Sequence, residues 1–234
     1  MSRRCYAVLP AAGTGSRMLA QQPKQYLEIA GRTLLEHSLQ ALLQCSRIEQ
    51  VVVALHPEDD KAKTLALLSD PRVLCVTGGA QRCDSVAAGL EALSHVADPL
   101  DWVLVHDAAR PCVAQEDLNR LIDAVLEQGV GAILAEPVVD TVKEAADTGL
   151  IQRTVDRSRL WRAQTPQMFC IAQLRAALTD ATGQGFSVTD EASAMEHAGY
   201  PVQLVPGSAS NLKVTVPEDL PLAEWHLQRA ERGL

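Results

Sequence analysis

Short apolar runs at 6–9, 51–55, 73–76, 102–105 and 132–135 constrain this chain more than any other feature. Each is long enough for a strand and shorter than a buried helix. Strands this apolar need cover on both faces, and the cover is written between them. Leu35, Leu39, Leu42 and Leu43 recur at helical spacing; so do Val86, Leu90 and Leu93, and then Leu118, Leu121, Ile122, Val125 and Leu126, with Gly129 placed to cap. Strand and helix in alternation imply an α/β fold around a doubly wound, mainly parallel sheet. The regular pattern resumes late in the chain, with helices expected at 171–181 and 190–197, the second ended by Gly199, a strand at 202–205 and a last helix after Pro217.

The alternation breaks between Pro137 and about Gln164. Asp140-Thr141-Val142-Lys143-Glu144 and Leu150-Ile151-Gln152-Arg153-Thr154-Val155 flank a turn-like Asp147-Thr148-Gly149, which predicts a β-hairpin with polar faces. A lone hairpin buries too little to be stable, so this one is expected to join a sheet or embrace a second subunit. The expectation is therefore one domain over 1–234, with 137–164 as a β-arm for dimerisation.

Charge narrows the partners. A net charge of −8 argues against the broad basic face that nucleic acid needs, and few aromatic residues make stacking platforms scarce, although a few cations and backbone N–H groups still suffice for a small anion. No apolar run approaches the roughly 20 residues of a bilayer span, and Met1-Ser2-Arg3-Arg4 runs straight into the first strand pattern, so a cytoplasmic protein without membrane contact is expected. The six cysteines are irregularly spaced and read as reduced thiols, most of them buried, with no zinc-site pairing.

The chemistry is concentrated after the first strand, in Pro10-Ala11-Ala12-Gly13-Thr14-Gly15-Ser16-Arg17-Met18 followed by Pro23-Lys24-Gln25. Glycines at a strand-to-loop junction allow a sharp turn and aim N–H groups at phosphate oxygens. Neither standard template fits: a dinucleotide loop needs glycine where Met18 stands, and a P-loop needs Lys-Ser/Thr after its last glycine. The glycines alone fit a ligand-free turn equally well. Arg17 and Lys24 tip the balance, because nucleotidyl transfer builds negative charge at the reacting phosphorus and needs cations beside it.

These residues resemble the 2-C-methyl-D-erythritol 4-phosphate cytidylyltransferases of isoprenoid biosynthesis. The likeness runs in order through Gly78-Gly79, Asp84-Ser85-Val86, Val105-His106-Asp107-Ala108-Ala109-Arg110-Pro111, Thr154-Val155-Asp156-Arg157, Thr165-Pro166-Gln167, Thr189-Asp190-Glu191-Ala192 and Asn211-Leu212-Lys213-Val214-Thr215. The resemblance implies a Rossmann-like nucleotidyltransferase sheet with a projecting β-hairpin arm, and attack by methylerythritol phosphate on the α-phosphorus of CTP with Mg²⁺ bound. It assigns Arg17 and Lys24 to the transition state, and Ala11, Ala12, Gly13, Gly15, Gly79 and Ser85 to CTP. Asp107 becomes the Mg²⁺ ligand, and Arg110, Thr141, Arg157, Thr165 and Lys213 fall to the sugar-alcohol phosphate. It also implies a homodimer with interlocked arms.

Taken singly, several of these residues keep a plainer reading. Asp107 could pair with Arg110 in a loop, and Arg157 and Lys213 could be solvated cations. Thr189-Asp190-Glu191 reads as a helix start capped by Thr189. Two positions depart from the family pattern: Ala80 stands where an acidic residue is expected near the cytosine and ribose, and Ser210 where Asp often precedes Asn211. The alternatives at this level are a cytidylyltransferase for another polyol phosphate such as ribitol 5-phosphate, or a non-catalytic CTP-binding module.

Overall fold

The computed structural model describes residues 3–13 and 23–232. Strand β1 (Cys5–Ala11) opens the fold; a short 3-10 turn at Lys24–Tyr26 and the small pair β2 (Glu28–Ile29) and β3 (Arg32–Thr33) lead into helix α1 (Leu34–Gln44). The alternation continues with β4 (Ile48–Leu55), β5 (Val73–Thr77), α2 (Arg82–Leu93), β6 (Trp102–Val105), α3 (Gln115–Gln128) and β7 (Ala132–Pro137). Then come the hairpin strands β8 (Val142–Ala145) and β9 (Ile151–Val155), the long β10 (Trp161–Cys170), α4 (Ile171–Gly183), α5 (Glu191–His197), β11 (Gln203–Pro206) and α6 (Asp219–Glu231).

Among the described residues the main sheet has the order β11-β7-β10-β6-β1-β4-β5. β1 pairs in parallel with β4 and β6, as do β4 with β5 and β7 with β11, whereas β10 is antiparallel to both β6 and β7. Period-two alternation sends neighbouring residues to opposite layers. Leu9 and Val53 pack with Leu39, Leu42 and Leu121 under α1 and α3; Val8 and Val52 pack with Leu90, Phe169 and Leu178 under α2 and α4. Each such side chain contributes about 1.5–3 kcal/mol by leaving water. A third small core joins α6 to the β2–β3 pair through Ala223, Ile29, Leu34, Cys112 and Val214.

Local sequence explains the helix ends. Thr33 and Glu36 form a capping box at the start of α1, each side chain serving the other's backbone N–H. Gly129 closes α3 with φ +66°, its N–H returning to Val125 O. Leu126, counted with the α3 stripe, is exposed instead. All six cysteines are free; Cys5, Cys45, Cys112 and Cys170 are buried and Cys75 is exposed. Among the described residues no helix is long and apolar enough to cross a membrane.

Two expectations need correcting. The stretch 137–164 is not all arm, because β7 runs to Pro137 and β10 begins at Trp161, so the projecting part is 138–160. Within it, among the described residues, β8 and β9 pair only with each other, and Val139, Leu150 and Ile151 stand exposed among the polar residues. Second, α5 is capped by Asp190 rather than Thr189: the Ser193 N–H donates to Asp190 Oδ1 at 2.9 Å.

Candidate active site

The sheet order reverses beside β1, with β4 on one side and β6 on the other, and a cleft opens at the carboxyl ends of these strands. Open α/β sheets bind ligands at such a point. Ala11, Ala12 and Gly13 form one wall as β1 ends, Gly79 and Ala80 a second after β5, and Asp107 sits at the back after β6. Lys24 and Lys213 line the same cleft. Gly15 and Arg17 lie outside the described residues.

Each wall is fixed by its own contacts. Gln25 Nε2 donates to Ala11 O at 2.8 Å, which seats the Lys24 turn against the end of β1. In the β5–α2 loop the Gly79 N–H donates to Ser85 Oγ at 3.2 Å, and the Gln81 N–H donates to Asp84 Oδ2 at 2.9 Å. The loop tolerates nothing larger at its two glycines: a Cβ on Gly78 would lie 2.7 Å from Ala12 Cβ, and one on Gly79 would collide with Asp84 Cβ.

Asp107 is the electrostatic centre. Arg82 Nε donates to its Oδ1 at 2.9 Å, Lys213 Nζ approaches Oδ2 to 2.8 Å, and Arg110 Nε stands 3.8 Å from Oδ2. Burial alone would push this carboxyl upward; Arg82, Lys213 and Arg110 outweigh it and hold Asp107 well below the usual carboxylate range. It is therefore an anion at any physiological pH.

Behind Asp107 lies a hydrogen-bond chain with a fixed direction. The Asp107 N–H donates to Thr165 Oγ1 at 3.0 Å, and His106 sets its Nε2 3.0 Å from Arg110 O and its Nδ1 3.0 Å from Thr165 Oγ1. A carbonyl only accepts, so Nε2 carries the proton. Burial lowers the His106 pKa to about 4, leaving the ring neutral and its Nδ1 as acceptor of the Thr165 hydroxyl. Thr165 thus holds the loop after β6. Arg110 is largely internal as well: its Nη1 donates to Asn211 O at 2.6 Å, and Asn211 Nδ2 donates to Thr165 O at 2.8 Å. These bonds anchor the segment that carries Lys213.

Thr141 and Arg157 lie elsewhere. They stand together at the root of the arm, Arg157 Nη1 3.5 Å from Thr141 Oγ1, both exposed, and neither is among the described residues lining the cleft. Ala11, Ala12, Gly13, Lys24, Gly79, Asp107 and Lys213 do line it, as does Ser85, while Thr165 and Arg110 act from behind.

Sequence reasoning missed Arg82, which lines the cleft, and its buried partner Glu191. A signal was available: Arg82 is the first residue of α2, where the helix dipole repels a cation, so an arginine there points to carboxylates nearby.

A divalent metal is implied by the family, and the donor set bears on it. Among the described residues no group of three His, Cys, Asp or Glu side chains is gathered for a metal. Asp107 offers one buried carboxylate in a cleft wide enough for a ligand. That fits Mg²⁺, which is commonly held by one or two carboxylates and completes its shell with substrate phosphates and water.

Sheet order, switch-point cleft and the ring of cations around one carboxylate define an α/β protein of nucleotidyltransferase type. Residues 5–229 match the family model of 2-C-methyl-D-erythritol 4-phosphate cytidylyltransferase. The chain is 52% identical over 230 residues to the protein of that name from Pectobacterium atrosepticum, covering 96% of this chain and 95% of that one, and 51% identical to its Photobacterium profundum counterpart over 98% of both. It is also similar to the crystal structure of a 4-diphosphocytidyl-2C-methyl-D-erythritol synthase, with TM-score 0.84 and 39% identity over 97% of this chain and 100% of the other. The cytidylyltransferase from Thermus thermophilus superposes with TM-score 0.80 at 36% identity over 96% of this chain and 99% of that one. The chain belongs to the 2-C-methyl-D-erythritol 4-phosphate cytidylyltransferase family.

Proposed function

We propose that this chain transfers CMP from CTP to 2-C-methyl-D-erythritol 4-phosphate, giving 4-diphosphocytidyl-2-C-methyl-D-erythritol and pyrophosphate in the non-mevalonate isoprenoid pathway. What carries the reading is the likeness to cytidylyltransferases at about half identity along nearly the whole chain. In the reaction a phosphate oxygen of the sugar alcohol forms a bond to the α-phosphorus of CTP as the bond to the β-phosphate oxygen breaks.

The residues divide this work by chemistry. Ala11, Ala12 and Gly13 present backbone to the nucleotide, and Gly79 and Ser85 shape the wall against which the nucleoside would rest. Lys24, with Arg17, supplies positive charge where the transferring phosphoryl group becomes more negative. Asp107 would hold Mg²⁺, whose charge supplies electrostatic stabilisation to the triphosphate and the departing pyrophosphate. Lys213 would orient the incoming phosphate, and Arg110 and Thr165 keep Lys213 and Asp107 in position.

Thr141 and Arg157 enter this scheme through a second copy. The exposed Val139, Leu150 and Ile151 and the self-paired β8–β9 hairpin favour exchange of arms across a twofold axis, which brings the pair at the arm root toward the partner's cleft. The same proposal makes the protein a single domain with an arm and places it in the cytoplasm, in keeping with its six free thiols.

The test is pyrophosphate release by purified protein with CTP, Mg²⁺ and methylerythritol phosphate, beside ribitol 5-phosphate. Release with the first acceptor is expected. Preference for the second would reassign the acceptor, and CTP binding without release from either would make the chain a sensor.

A further inference from the structure

Arg82 is shared unequally between two carboxylates. Glu191, fully buried at the start of α5, takes both terminal nitrogens, with Nη1 2.6 Å from Oε1 and Nη2 3.0 Å from Oε2. Asp107 receives only Nε, at 2.9 Å from Oδ1. A guanidinium presents its terminal fork to one carboxylate at a time, in a fixed plane. Since Glu191 holds that fork, Asp107 Oδ2 is left to Lys213, whose side chain is 41% exposed, and to Arg110 at 3.8 Å. An exposed lysine leaves a carboxylate oxygen far more readily than a buried arginine does.

We propose that Glu191 is a positioning residue for metal-dependent nucleotide binding: by keeping the Arg82 fork away from Asp107, it leaves one Asp107 oxygen that Lys213 gives up when CTP arrives with its divalent cation. The inference rests on the cytidylyltransferase reading of the cleft. Glu191 touches neither nucleotide nor metal and acts through Arg82. A purely structural ion pair between α2 and α5 would behave differently, because weakening it would impair every form of CTP binding alike.

Glu191→Gln keeps the side chain's shape and leaves Asp107 as the one carboxylate for Arg82. By calorimetric titration in EDTA, its CTP affinity should be unchanged or up to about threefold tighter, since a negative charge behind the cleft has gone. The Mg²⁺ concentration giving half-maximal CTP binding should rise about tenfold, the scale of one strengthened charge-assisted bond that the metal must now displace. Arg82→Gln combined with Glu191→Gln removes fork and carboxylate together and leaves neither buried charge unpaired, so its Mg²⁺ midpoint should lie at or below that of the unsubstituted protein.

Equal weakening of CTP binding with and without Mg²⁺ in Glu191→Gln, or an unmoved Mg²⁺ midpoint, overturns the proposal. Should that variant fail to fold, the double variant decides, and a midpoint above that of the unsubstituted protein overturns it. If the unsubstituted protein binds CTP with Mg²⁺ but releases no pyrophosphate from either acceptor, the reaction assignment falls, and the binding titrations still judge Glu191.

Discussion

The cleft and the arm are both rich in charge, and they use it in opposite ways. Asp107 is buried and meets Arg82 and Lys213 within 2.9 Å, with Arg110 close behind. On the arm, Glu144 pairs with Arg153 with both side chains substantially exposed, and Lys143 Nζ donates to Thr154 Oγ1 at 2.6 Å in solvent. Water screens both partners of the second set, whereas in the first it reaches the outer end of Lys213 and leaves Asp107 itself buried. A buried charge must be matched by its surroundings and is therefore held in place, while a solvated one waits for a partner to give it a geometry.

The contrast is tested most severely at Lys24. Lys24→Ala should lower turnover about a hundredfold or more while CTP affinity changes far less, because its charge is most useful in the transition state. The same is expected of Arg17→Ala. Steady-state kinetics beside nucleotide titrations check both, and near-normal turnover would remove the residue from the catalytic set.

Asp107→Asn keeps the side chain's shape and removes the charge that Arg82 and Lys213 share. The Mg²⁺ requirement for turnover should rise sharply, and stability should fall by only about 1 kcal/mol, the scale of a lost hydrogen bond, because Arg82 keeps Glu191 and Lys213 reaches solvent. A metal titration and thermal unfolding measure the two effects; an unmoved titration would show that Asp107 is not a ligand.

The arm should respond as a whole or hardly at all. Deleting 143–153 and closing the gap with a short Gly-containing turn should give a folded, largely monomeric protein with poor turnover and nearly intact CTP binding. Light scattering decides it, and a surviving dimer with full activity would place the subunit contact elsewhere. Arg153→Ala, by contrast, should change stability by less than about 0.5 kcal/mol, as exposed pairs usually do. A larger loss in chemical denaturation would mean that this pair is buried in an assembly.

The main sheet was legible because its strands are apolar on both faces and its helices carry clean stripes: β6 at Trp102–Val105 coincides with the apolar run that predicts it. β10 was not. It carries Pro166, and its register with β7 shifts between Ala163 and Gln167, so neither period two nor an unbroken apolar run marks it. In the cleft, the glycines, Lys24 and Asp107 stand out because loop chemistry demands unusual residues there. Glu191 does not, since an acid in the first turn of a helix is ordinary and only the fold brings it to Arg82 from 109 positions away.

The β5–α2 loop also limits how this enzyme could evolve. Positions 78 and 79 are closed to any side chain by Ala12, Ser85 and Asp84, and Asp84 and Ser85 are themselves committed to the loop's backbone. Ala80 is different: it lines the cleft, is exposed, and no hydrogen bond of its own holds the loop together among those described. The lining of the cleft at position 80 can therefore change through a single codon, with the scaffold around it held constant.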